Sequence, residues 1–186
     1  MDIQYNFYED IVLKLGGKAI KQAKPSFYQP YKPLYNNENN EIEVNLESIN
    51  KGILNAFSFY AIPEWLEDGI SEAAMRRFNI KYSIEDNKII IPHYDINGNL
   101  IGIRGRTLND DELYLGKYLP VKINGKMYNH PLGFNLYGLN FVKENIKKYK
   151  MAIVAEGEKA VLQYETMFGE DRNIVVAACG SNFCKY

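Results

Sequence analysis

Three groups of residues have side chains and spacing suited to chemistry. Glu156-Gly157 follows an apolar run, Met151-Ala-Ile-Val-Ala155, with the continuous character of a strand buried on both faces. A carboxylate at the carboxyl end of such a strand stands where ligands collect in open α/β sheets. The glycine beside it permits close backbone approach, and a carboxylate so placed suits a hard cation such as Mg²⁺. The competing reading is a solvent-exposed glutamate capping the next helix, and spacing alone favours it. Arg104 and Arg106 stand two apart, so on a strand both project from one face. Ile101 and Ile103 take the other face, and Gly102 and Gly105 leave space around the arginines. Two such guanidinium groups can hold phosphates bidentately. Without further context, the solvated outer face of an antiparallel sheet accounts for them better. Lys117-Tyr118 sets a cation beside an aromatic ring, which can serve a nucleic-acid strand. Fifteen tyrosines in the chain make that adjacency common.

The remaining reactive residue types point to structure. His93 and His130 are isolated, each next to a proline, and read as loop or hydrogen-bonded histidines. Cys179 and Cys184 have a C-x4-C spacing with no second pair and no nearby histidine, whereas a zinc site needs about four ligands. Cys179 ends an apolar run and reads as a small core residue. The chain has no G-x-S-x-G, Walker A or G-x-G-x-x-G, which removes the usual support for serine-hydrolase, P-loop and dinucleotide-binding readings.

The elements that must position these groups follow from periodicity. Residues 1–24 read as a short helix stopped by Gly16-Gly17, and 25–45, with three prolines and an Asn-rich run, as a linker or arm. Asn45 reads as the N-cap of a helix with Leu46, Ile49, Ile53, Leu54 and Phe57 on one face. Short helices are expected near Pro63 and from Ser71 to Phe78. The period then switches to two. Lys88–Pro92 and Asn99–Thr107 are predicted strands joined by a turn at 95–98, and Asn124-Gly125 marks a second hairpin over 121–128. Asn140 to Lys148 is an expected amphipathic helix. Met151–Ala155, a helix over 158–168 with Ala160, Val161, Tyr164, Met167 and Phe168 as its apolar stripe, and Ile174–Ala178 make a βαβ unit. The expected organisation is an arm at 1–45, helices plus antiparallel hairpins at 46–148, and an incomplete α/β unit at 149–186.

Composition bounds the function classes. The chain has 186 residues, enough for a core without disulfide staples, and 46% hydrophobic residues, too many for a disordered chain. No apolar run reaches the roughly 18 to 20 residues that span a bilayer. The start lacks the pattern of a signal peptide, so a soluble cytoplasmic protein with no membrane partner is expected. A net charge of −1 does not announce a nucleic-acid binder. It conceals an asymmetry, however: residues 1–70 hold six basic and ten acidic groups, residues 71–186 sixteen and thirteen.

Five segments in order resemble the catalytic core of bacterial and phage DNA primases of the DnaG type. Gly69-Ile-Ser-Glu-Ala-Ala-Met-Arg-Arg-Phe-Asn-Ile-Lys-Tyr-Ser83 resembles that family's "G-S-E-…-F-I-Y-S" helix and strand. Ile89-Ile-Ile-Pro-His-Tyr-Asp95 with Gly98-Asn-Leu-Ile-Gly-Ile-Arg-Gly-Arg106 resembles its "I-x-F-P-I-x-D-x-x-G-x-x-I-G-F-G-G-R" hairpin. Lys117-Tyr118-Leu119 is similar to "K-Y-L-N", Leu136-Tyr137-Gly138-Leu139 to "L-Y-G-L", and Val154-Ala-Glu156-Gly157-Glu158-Lys159 to the first TOPRIM motif, "V-E-G-x-x-D". The resemblance implies an α+β fold, a primase-core subdomain followed by part of a TOPRIM unit. It implies template-directed RNA primer synthesis by nucleotidyl transfer on single-stranded DNA. Ribonucleotides are the implied substrates, Mg²⁺ or Mn²⁺ the metal, and a replicative helicase a further partner. It makes Glu156 the catalytic, metal-holding carboxylate. It places Arg106 and Lys117 in a basic groove for template and nucleotides, with Arg104, Tyr118 and Lys159 as further candidates. The sequence departs from the family in four places. No lysine precedes Leu136-Tyr-Gly-Leu139, and Lys159 replaces an acidic or neutral residue. The family's zinc-binding N-terminal domain has no counterpart, and the sequence stops before the later Asp-x-Asp motif. The chain is therefore expected to be inactive alone. Two alternatives remain: a non-catalytic single-strand-binding accessory module, or another TOPRIM enzyme such as a nuclease or topoisomerase.

Overall fold

A computed structural model describes residues 46–180. The helix and arm expected over 1–45, and Cys184, lie outside the described residues. The described part enters in extended form, with the Ile49 N–H donating to the Leu100 carbonyl at 2.7 Å. The helix expected from Asn45 is therefore replaced by a single 3-10 segment, Lys51–Ala56, whose N-cap is Asn50. The backbone bond at Ile49 holds the preceding residues out of a helix, and Gly52 in the first turn disfavours a longer one.

Two short helices follow. Helix α1, Pro63–Glu67, starts on the proline. Helix α2, Glu72–Arg77, is capped by Ser71, whose hydroxyl accepts from the Ala74 N–H at 3.2 Å. The chain then forms an antiparallel meander of β1 (Lys81–Ser83), β2 (Lys88–Tyr94), β3 (Leu100–Thr107), β4 (Tyr118–Ile123) and β5 (Lys126–Tyr128), paired in sequence order. Asp95 closes the β2–β3 turn by accepting from the Asn97 and Asn99 N–H groups. Asn124 and Gly125 both take positive φ, as a type I′ hairpin turn requires. The β2–β3 register slips between His93 and Tyr94, leaving Ile101 as an extra residue. The slip returns Leu100 to the face that holds Ile103.

The second layer is the βαβ unit. Helix α3, Leu139–Tyr149, leads into β6 (Ile153–Ala155), then helix α4 (Glu158–Phe168), then β7 (Val175–Ala177), which pairs parallel to β6. Gly138 starts α3 with φ +85°, and a Cβ there would lie 2.9 Å from the Val161 side chain on α4, so the site admits only glycine without rearrangement. Just before it, Tyr137 bridges Ala177 in both directions, at 2.8 and 3.0 Å, extending the small sheet beyond β7.

The antiparallel sheet packs on both faces. Ile90, Ile103 and Val121 join Leu54 in a cluster on one side. Ile89 and Ile91 join Trp65, Phe78, Tyr137, Val161 and Leu162 in the largest cluster, which the two layers share. Burial departs from expectation in the second layer. Strand β7 is buried throughout, but Met151 and Ile153 are exposed, because β6 has β7 on one side only among the described residues. On α4 the exposed residues include Met167 and Phe168, so the expected apolar stripe is rotated. No helix among the described residues is long and apolar enough to cross a membrane.

Candidate nucleic-acid interface

The inward stripe of α4 is Glu158, Val161, Leu162 and Glu165, at i, i+3, i+4 and i+7. Two apolar residues are thus bracketed by two buried glutamates. Each glutamate meets an arginine of the first layer. Glu165 takes Arg77 Nη1 at 2.9 Å and also accepts from Asn173 Nδ2 at 2.7 Å. Glu158 takes Arg104 Nη1 at 2.5 Å and lies 3.2 Å from His93 Nε2. These pairs tie the two layers together across their shared core.

Arg104 therefore has a protein partner. Its guanidinium also donates to the Cys179 carbonyl at 3.3 Å and stacks 5.2 Å from the centre of the Tyr118 ring. Burial works to raise the Glu158 carboxyl, but the His93 hydrogen bond and the Arg104 charge outweigh it and hold it down to about 2. Burial lowers His93, against the Glu158 hydrogen bond and charge, which act to raise it. His130 packs against His93, ring centres 4.8 Å apart, with both ring nitrogens buried and without a hydrogen-bond partner among the described residues. Burial, reinforced by the His93 and Arg104 charges, pushes His130 down to about 3. Gly102 makes room for this ring; a side chain there would collide with it. His93 thus lies on β2 and is hydrogen-bonded to Glu158, whereas His130 lies in the loop after β5 and makes no side-chain hydrogen bond among the described residues.

Arg106 behaves differently. It lies directly across from Tyr118 on β4, so the two side chains share a face. Its Nε and Nη1 are buried without a hydrogen-bond partner among the described residues. Buried guanidinium donors without partners are costly, and each such group calls for an explanation such as a missing ligand. Lys117 is exposed one residue before Tyr118. Lys159, in the first turn of α4, is ion-paired with Asp68 at the end of α1. Asp68 is held below the usual carboxylate range by that hydrogen bond, and by the charges of Lys159, Arg106 and Lys117. The structure thus brings Arg106, Lys117, Tyr118 and Lys159 to one region. Arg104 lies on the same strand face but turns to Glu158.

Glu156 follows β6 directly and is exposed, with no side-chain hydrogen bond among the described residues. Its backbone carbonyl accepts from the Cys179 N–H at 2.8 Å, which ties together the ends of the two parallel strands. A hard divalent cation needs about six oxygen ligands. The carboxylates of Asp68 and Glu158 are engaged by Lys159 and Arg104, whereas that of Glu156 has no ion pair among the described residues. The described residues do not by themselves make a complete metal site. His93, Glu158 and Cys179 do offer ligand atoms within 4.8 Å of one another. Arg104 already fills the cation position there, and burial pushes the Cys179 thiol up, so the thiolate a metal requires is disfavoured.

Glu158, Glu165, Arg77 and Asp68 are the residues the sequence reading missed. A glutamate at each end of an apolar i, i+3, i+4 stripe is the signal that could have found the first two.

No family model matches the chain. A curated relative, the SPbeta prophage-derived uncharacterized protein YorJ of Bacillus subtilis (strain 168), is 38% identical over 149 residues, covering 78% of this chain and 39% of the relative. The Aquifex aeolicus primase structure, with zinc binding and RNA polymerase domains, superposes with a TM-score of 0.55 at 24% identity, over 69% of this chain and 40% of that one. The RNA polymerase domain of Mycobacterium tuberculosis primase DnaG, solved in complex with double-stranded DNA, gives a TM-score of 0.52 at 19% identity, over 66% and 48% of the two chains. The chain thus spans about two-fifths of the curated relative and of the Aquifex protein.

Proposed function

We propose that this chain, whose fold is that of the DnaG-type primase catalytic core, holds single-stranded DNA on the face formed by Arg106, Lys117 and Tyr118. The observation that carries this reading is the Arg106 guanidinium, with two buried nitrogens unpartnered beside Lys117 and an aromatic ring. Phosphate oxygens are the acceptors a planar guanidinium matches best. A lysine one residue away adds a point charge, and a tyrosine gives a base a surface to stack on with little sequence preference. Arg104 is here a positioning residue. Fixed by Glu158, it braces the Tyr118 ring and sets the start of α4, and with it Glu156, relative to Arg106.

For the whole protein, the reaction is template-directed primer synthesis. A 3′-hydroxyl attacks the α-phosphate of an incoming ribonucleotide, and pyrophosphate leaves. Charge spreads over the phosphate oxygens in such transfers, so fixed cations at Arg106 and Lys117 act mainly by electrostatic stabilisation and alignment. Glu156 is the oxygen ligand this chain offers to Mg²⁺ or Mn²⁺, and further ligands must come from elsewhere. That the described residues do not complete a metal site around Glu156 also favours a second reading, a strand-binding module without chemistry of its own. Primer synthesis by this 186-residue chain would exclude that second reading.

Binding of a fluorescein-labelled oligothymidylate, followed by anisotropy across roughly 50 to 200 mM salt, tests the proposal. Arg106→Ala is expected to weaken binding and reduce the log–log salt slope by about 0.7, the single-strand value for one lost phosphate contact. An unchanged slope would make Arg106 a structural residue and remove the support for this face.

A further inference from the structure

Asp68 sits among cations in a way that its fold does not require. The connection from α1 to α2, residues 68–71, is gripped by one stripe of α4: Lys159, Gln163 and Thr166. Two of these contacts are neutral and hold backbone. Gln163 Nε2 donates to the Asp68 carbonyl at 2.8 Å, and the Ser71 N–H donates to the Thr166 hydroxyl at 2.9 Å. They fix the turn whether or not the Asp68 carboxylate is engaged. The carboxylate itself pairs with Lys159 and lies within the field of Arg106 and Lys117. Its side chain is 41% exposed, that of Lys159 26%, so both can change rotamer without disturbing the core.

We propose that Asp68 is an internal counter-anion, occupying the position that a phosphate group takes on Lys159 and exchanged for it on binding. The inference rests on the strand-binding reading above and extends that site across the layer boundary to α4. The ligand class is a phosphodiester or polyphosphate oxyanion. A carboxylate and a phosphate oxygen offer Lys159 the same kind of acceptor. Free protein gains a neutralised surface, and bound protein gains a cation aligned with Arg106 and Lys117. The exchange lowers affinity for any anion, because each binding event must first break the Lys159–Asp68 pair.

The test uses the full chain with two probes, fluorescein-labelled oligothymidylate and inorganic tripolyphosphate. Asp68→Asn is expected to bind both roughly three- to tenfold more tightly than the unsubstituted chain, and the oligonucleotide with a steeper salt slope. The gain should vanish when Lys159→Gln is added. Asp68→Ser provides a second variant, and thermal unfolding checks that each is folded. If Asp68→Asn binds no tighter while Arg106→Ala still weakens the oligonucleotide, Asp68 is only a surface ion-pair partner and the inference fails alone. If the oligonucleotide never binds but Asp68→Asn takes tripolyphosphate more tightly, the anion position stands and the strand reading fails. If no variant binds either probe, both fail.

Discussion

Replacing Glu158 with alanine is expected to remove about 3–5 kcal/mol of stability, the usual cost of leaving one member of a buried ion pair without its partner. Glu158 is 1% exposed, and its removal strands both the Arg104 guanidinium, 2.5 Å away, and the His93 Nε2 that it neighbours. Domains of this size have about 5–15 kcal/mol in total, so the variant should unfold at a much lower urea midpoint. The comparison is Glu72→Ala on α2. That carboxylate also pairs with an arginine, Arg76 at 2.6 Å, but both side chains are more than half exposed. Solvent screens such a pair, and about 1 kcal/mol or less should be lost. Equal midpoint shifts for the two variants would mean that the Arg104–Glu158 pair does not fix the layers.

Acid should loosen the same interface well before ordinary carboxylates titrate. His93 and His130 are both buried and both pushed down from the usual histidine value, His130 to about 3. Unfolded, each would take a proton near pH 6.5. Below that pH the unfolded chain binds protons that the folded chain refuses, so stability falls as pH falls. The groups acting on His130 are His93 from β2, Arg104 from β3 and Glu158 from α4. Two of the three resist its protonation. His130 alone should cost about 2 kcal/mol between about pH 8 and pH 5, with His93 adding in the same direction. Urea unfolding at the two pH values checks this, with His130→Leu expected to recover the His130 share. Equal stability at both would mean that the imidazoles are accessible to protons in the folded protein.

The sequence revealed what is set by neighbours along the chain. The Asp95 turn, the Asn124-Gly125 hairpin, the short helix in the Ser71 to Phe78 stretch and the helix over 158–168 all follow from local residue types, and the structure has each of them. The α+β order of hairpins followed by a βαβ unit was legible for the same reason. The orientation of α4 was not. Its apolar residues suggest a stripe through Met167 and Phe168, yet these face outward and Glu158 and Glu165 face inward. Their burial is stable only because arginines 54 and 88 residues away neutralise them, and no local pattern contains that information. Arg104 and Arg106 show the same limit within one strand. Period two places them together, but only the packing of α4 gives the first a partner and leaves Nε and Nη1 of the second without one among the described residues.

The proposed function requires that a nucleic-acid strand lie on the Arg106–Lys117–Tyr118 face. Photocrosslinking of an oligonucleotide carrying 5-iodouracil, with the adduct located by peptide mass mapping, tests it most directly. The expected adduct is on Tyr118, or on Tyr114 in the exposed turn before Lys117, and it should be lost in Arg106→Ala. Adducts found solely on distant exposed aromatics, such as Tyr149 at the end of α3, and persisting in Arg106→Ala, would place the strand away from this face.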